Sequence, residues 1–228
     1  MTSLTPELLA QLRADVQGPD DDVADAACYE LCEAGDPVGV ELVIDRFIDS
    51  TMKGKAETSA EWALHRDGAF DTLVAVAERD PGGDTAQAVC YILGETSCYH
   101  SVYPVLPTLM RVLEARLPRG TKACWHVLDA FRYLSRKGPM PEAAPLLRAV
   151  LRKGAEEPDC HVGTVGYARR ALYVTEGDAI IPELRALIAG LPESHELRLI
   201  VEGFIERREA GLPDMKAYPL PWETPAGG

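Results

Sequence analysis

The chain has 228 residues, 46% of them hydrophobic, with a mean hydropathy of −0.09, so one domain can bury a substantial core. Its net charge is −13, from 36 acidic and 23 basic residues, which opposes general affinity for nucleic acid. Residues Met1 to Glu7 have no basic start followed by an apolar run, and no stretch approaches the roughly 18 apolar residues of a membrane span, so the expectation is a soluble, cytoplasmic protein.

The first predicted element is a helix near residues 5–16. Beyond it two sequence registers alternate. The first, small-x-aromatic-x-aliphatic, reads Ala27-Cys28-Tyr29-Glu30-Leu31, Ala60-Glu61-Trp62-Ala63-Leu64, Val89-Cys90-Tyr91-Ile92-Leu93, Ala123-Cys124-Trp125-His126-Val127 and, more loosely, Ala168-Arg169-Arg170-Ala171-Leu172. The second follows each copy: Val40-Glu41-Leu42-Val43, Phe70-Asp71-Thr72-Leu73, Leu106-Pro107-Thr108-Leu109, Ala144-Pro145-Leu146-Leu147 and Ile181-Pro182-Glu183-Leu184. The second positions of these copies lie 30, 36, 38 and 37 residues apart, a period that suits one helical hairpin per repeat.

Turn signals separate the registers at Gly35-Asp36-Pro37, Gly68, Gly138-Pro139 and Gly177-Asp178. Pro107, Pro145 and Pro182 are predicted in the first turn of a helix, where the missing N–H breaks no bond. Apolar residues then recur at helical spacing, as in Val40, Val43 and Phe47. A closing helix is predicted from Ser194 to Glu209, carrying charge on one side and Leu197, Val201 and Phe204 on the other. Residues 212–228 hold Pro213, Pro219, Pro221 and Pro225 and read as an extended tail with Tyr218 and Trp222 as possible docking side chains.

The runs Ala26 to Pro37 and Ala168 to Leu184 resemble the short HEAT-like repeats of bacterial proteins. That resemblance spans about residues 20–210 and implies an all-α fold: a right-handed α–α superhelix, or α-solenoid, of about five hairpins with a capping helix at each end. The domain reading is a solenoid over residues 1–211 and a tail over 212–228. Tetratricopeptide and ankyrin signatures are missing.

Chemistry is sparse. No phosphate loop, nucleophile elbow or paired-histidine metal helix occurs, and no cofactor or metal is expected. Cys28 and Cys32 share a helical face but read as small buried hydrophobes. His65, His100, His126, His161 and His195 are scattered. Trp125 and Asp129 resemble the Trp-x-x-x-Asp arrangement of HEAT-like DNA glycosylases. That likeness implies an aromatic role for Trp125, an electrostatic one for Asp129 and phosphate contacts for Arg132 and Arg136. The resemblance to HEAT-like proteins also admits an accessory chromophore lyase, by fold analogy alone.

Charge is unevenly spread. Residues 1–100 carry 20 acidic against 6 basic residues and residues 101–228 carry 16 against 17, while the segment 111–153 alone holds ten basic residues and three acidic. Glu41, Asp45 and Asp49 recur every four residues as one stripe, which Asp71 and Glu78 extend into the next repeat. The reading is a non-enzymatic protein-binding solenoid, an adaptor or inhibitor, that takes a basic partner on Glu41, Asp45, Asp49, Asp71 and Glu78. The alternative is nucleic-acid binding through Arg132, Arg136, Arg148 and Arg152.

Overall fold

Local chemistry starts and stops the helices at the signals just named. The computed structural model describes residues 4–51, 59–99 and 105–212, and its described residues form helices and turns with no strand. The tail beyond Leu212, with Tyr218 and Trp222, and His100 lie outside the described residues. Thr5 caps α1 (Pro6–Val16) by accepting the Leu8 amide, with Pro6 as the first helical residue. Asp20 caps α2 (Asp21–Ala34) through the amides of Asp22 and Val23. Gly35 ends α2 at φ 67°, the left-handed conformation that favours glycine, and Pro37 opens α3 (Pro37–Thr51).

The chain continues through α4 (Ser59–Leu64), α5 (Phe70–Arg79), α6 (Asp84–Tyr99), α7 (Leu106–Arg116), α8 (Trp125–Ser135) and α9 (Ala144–Glu156). It closes with α10 (Val162–Glu176), α11 (Ile181–Ile188) and α12 (Glu196–Glu209). Pro107, Pro145 and Pro182 stand in the first turns of α7, α9 and α11, as their missing N–H groups demand. Two histidines serve as caps: Nδ1 of His161 accepts the Thr164 amide and Nδ1 of His195 accepts the Leu197 amide, each at 3.2 Å.

First-register sequences fall on the even-numbered helices and second-register sequences on the odd-numbered ones. Each series packs on itself. Among even helices α2 meets α4, α6 meets α8, α8 meets α10 and α10 meets α12. Among odd ones the contacts run α1–α3, α3–α5, α5–α7, α7–α9 and α9–α11. Between the series, the closer packing joins most odd helices to the even helix after them, as in α1–α2, α5–α6 and α9–α10, while α3 packs on α2 and α4 alike, as its predicted hairpin with α2 requires. The connections differ along the chain: α5–α6 and α9–α10 reverse over a few residues without a 3-10 turn, whereas α4–α5, α7–α8, α8–α9 and α10–α11 run through 3-10 turns.

One continuous apolar cluster runs from Leu12 in α1 to Ile205 in α12. Helices α6 and α8 approach closely within it, where Gly94 faces Ala130: a Cβ on Gly94 would stand 2.5 Å from both Cα and Cβ of Ala130. Arg116, only 2% exposed, ties the α6 entrance to the turn before α8. Its guanidinium donates to the carbonyls of Gly82, Gly83 and Ala123 and to Asp84 at 2.5–3.0 Å. A basic residue of the 111–153 segment is thereby spent on structure.

Candidate functional site

The start of α10 is fixed beside α8 by a buried polar knot. Thr121, before α8, donates to Glu157 through its amide and hydroxyl, and its own hydroxyl accepts the His161 amide at 2.9 Å. Thr164 in α10 returns a bond from its hydroxyl to the Thr121 carbonyl at 3.0 Å. With α10 held there and α12 packed on it, the outward faces of α8, α10 and α12 enclose a groove of about 530 Å³. A volume of this order suits a small-molecule or side-chain-sized ligand.

Its walls are apolar and its charges all of one sign. Val162, Leu199, Ile200 and Phe204 supply the apolar surface, and Val162 and Leu199 are 47% and 52% exposed. Arginines enter from all three helices: Arg132 and Arg136 from α8 and its end, Arg169 and Arg170 from α10, Arg207 from α12. Among the described residues the lining contains no carboxylate. Arg169 is buried with its guanidinium 4.1 Å from the Phe204 ring, while Arg136 stacks over Tyr133 with no carboxylate partner among the described residues.

Three glycines line the groove, for two different reasons. A Cβ on Gly163 would stand 1.8 Å from Cζ3 of Trp125, so glycine there makes room for the indole. Cβ atoms on Gly166 and Gly203 would meet none of the described residues within 4 Å, although both glycines lie inside helices. A mid-helix glycine costs about 0.5–1 kcal/mol relative to alanine, and packing among the described residues gives no reason for either. Their absent side chains leave helix backbone bare along the groove.

Trp125 and Asp129 lie at the edge of this groove, both turned toward α10. The half-buried indole stacks on Tyr167, ring centroids 5.3 Å apart and planes 22° apart, and meets the His161 ring edge-on at 4.6 Å. Asp129 is 7% exposed and accepts from Arg132 Nε at 2.5 Å. Burial raises its pKa above the ordinary carboxylate value, against the pull of the Arg132 cation. Burial, and then the nearby Asp129 charge, raise the pKa of the Tyr167 phenol. Asp129 thus anchors Arg132, whose guanidinium lies over the rings of Tyr133 and Tyr167.

The remaining sequence-predicted residues do not join this groove. Arg148 is paired with Glu176 and Glu183 at 2.5 and 2.8 Å, and Arg152 lines a separate cavity of about 340 Å³ together with Arg148 and Glu183. In the acidic stripe, Glu41 pairs with Arg79 at 2.6 Å and Glu78 with Arg111 at 2.8 Å, each pair joining consecutive odd helices. Hydrogen bonding from Arg79 holds Glu41 below the ordinary carboxylate range. Asp45, Asp49 and Asp71 are exposed on α3 and α5. Arg169, Arg170 and Arg207 escaped the sequence reading because they lie outside the basic segment. For Arg170 alone there is a sequence signal, the recurrence of Gly163, Gly166, Tyr167 and Arg170 at helical spacing.

Elsewhere, Glu95 of α6 accepts from Tyr133 at 2.6 Å and lies 3.4 Å from His65 Nε2. Burial alone would raise its pKa, but bonds from His65 and Tyr133 hold it lower than usual. Cys28, Cys32, Cys90, Cys124 and Cys160 are buried free thiols, and burial pushes Cys28 up to about 11. Among the described residues no group of three His, Cys, Asp or Glu could hold a metal ion, and no helix is long and apolar enough to cross a membrane. Comparison with protein families, with curated proteins and with solved structures finds no match to this chain.

Proposed function

We propose that the chain is a HEAT-like α-solenoid of right-handed course, a non-enzymatic cytoplasmic binding protein that recognises an anionic partner in the groove between α8, α10 and α12. The observation that carries this reading is the groove lining: five arginines from three helices beside apolar walls, with no carboxylate among the described lining residues. The alternating self-packing of even and odd helices supports the solenoid, and the buried free thiols suit a reducing compartment. The long-range field of a −13 chain is screened beyond about 8 Å at physiological salt, so a local arginine cluster still selects anions.

The acidic stripe carries a second reading, in which Asp45 and Asp71, exposed on contacting helices α3 and α5, take a basic protein. It ranks lower because Glu41 and Glu78 each pair with an arginine of the chain itself, whereas Arg136 of the groove has no carboxylate partner among the described residues. The glycosylase reading draws less support still: Asp129 is buried on Arg132, and Trp125 is stacked on Tyr167.

Retention of a cell extract on the immobilised chain, eluted with a salt gradient, separates these readings. The groove reading expects acidic material that Arg136→Glu/Arg170→Glu no longer retains and Asp45→Lys/Asp71→Lys still does. The opposite pattern, with basic material retained, sinks it in favour of the stripe.

A further inference from the structure

The shape and chemistry of the groove specify its ligand more narrowly than a charge sign. A track for nucleic-acid phosphates would be polar along its length, whereas here Leu199, Ile200 and Phe204 present hydrocarbon between the arginines. A purely ionic site would not need that hydrocarbon, and a purely apolar one would not draw charge from three helices. The bare backbone at Gly166 and Gly203 lets a ligand body lie closer to α10 and α12 than any side chain would allow. The groove holds about 530 Å³, enough for one small molecule and too little for a folded element.

We propose that this groove binds a single small amphipathic anion, an apolar chain or ring carrying one carboxylate or phosphate, with its body over Gly166, Gly203 and Phe204 and its head on the arginines. This rests on the groove reading above and names its ligand. Arg136, stacked on Tyr133 and without a carboxylate partner among the described residues, is the arginine best placed to give its charge to the head. Arg132 is held on Asp129 and shapes the wall.

Calorimetric titration of the full chain tests the assignment with four probes, each below its micellar concentration: dodecanoate, dodecyl phosphate, inorganic phosphate and dodecyltrimethylammonium. The expected result is one site per chain for at least one of the two dodecyl anions, with inorganic phosphate and the dodecyl cation at least about tenfold weaker. The stronger of the two anions identifies the head. Arg136→Ala should weaken that anion about tenfold, and Gly203→Leu, which plugs the groove, should abolish its binding. Gly203→Ala is a second variant that keeps the helix in any case and should weaken the anion without a loss of thermal stability. Equal binding of the dodecyl cation, several sites per chain, or indifference to both Gly203 variants overturns the proposal. If neither anion binds while Arg136→Glu/Arg170→Glu still loses the extract material, the ligand assignment fails and the groove reading stands; if both results are negative, both fall.

Discussion

Glycine-to-alanine exchange should have opposite signs at two positions of this chain. At Gly94 the new Cβ would stand 2.5 Å from Cα and Cβ of Ala130, against about 3.5–4.0 Å for carbon contact. Both Ala130 atoms are fixed to the α8 backbone, so α6 and α8 must part by roughly 1 Å beside the buried Ile92, Leu93, Val127 and Phe131. Overpacking of this kind costs about 1–3 kcal/mol, with this rigid contact near the upper end, and the helix gains about 1 kcal/mol from alanine. The net expectation is a loss of about 1–2 kcal/mol, or roughly 2–8 °C in Tm for a domain of this size. Gly166→Ala meets nothing within 4 Å and should instead gain about 0.5–1 kcal/mol. Urea denaturation followed by circular dichroism reads both. A Gly94→Ala protein as stable as the parent would refute the α6–α8 contact and with it the packing order of the even helices.

His161→Ala removes the α10 cap and should cost about 1 kcal/mol, while His161→Asn should restore most of it. Arg116→Met leaves the carbonyls of Gly82, Gly83 and Ala123 without their buried donor and should cost about 3 kcal/mol or more in the same urea assay. Gly163→Ala should displace the Trp125 indole from Tyr167, seen as a shift in tryptophan emission that Trp125→Phe removes. Burial lowers the pKa values of His126 and His161, so the native state binds fewer protons than the unfolded chain as pH falls through about 6.5. Stability should therefore decline from neutrality down through that window, and His126→Gln/His161→Asn should flatten the decline. Asp36 and Glu176, held low by Arg13 and Arg148, contribute stability that persists above the carboxylate range and is lost only as pH falls through it.

Helix placement was legible because its signals are local. Pro107, Pro145 and Pro182 fix φ and forgo a donor, Gly35 adopts the left-handed cap, and the Val40, Val43, Phe47 spacing repeats with the helical period. Which helix packs most closely on which was not legible, since neither register carries the path of the turns that join the helices. Charge was legible as a total and misleading as a surface. Arg116 faces carbonyls, Arg148 faces Glu176 and Glu183, and Glu41 and Glu78 face Arg79 and Arg111, so a tally along the segment overstates what a partner would meet. Arg169, Arg170 and Arg207 converge with Arg132 and Arg136 only because α8, α10 and α12 are neighbours in space.

Amide hydrogen exchange locates the bound partner most directly, measured on the full chain alone and with the extract fraction that the immobilised chain retains. Recognition in the arginine groove predicts slowed exchange in residues 162–170 and 199–207 and none in residues 37–51 and 70–79. Slowed exchange confined to residues 37–51 and 70–79 would place the partner on the acidic stripe and contradict the groove.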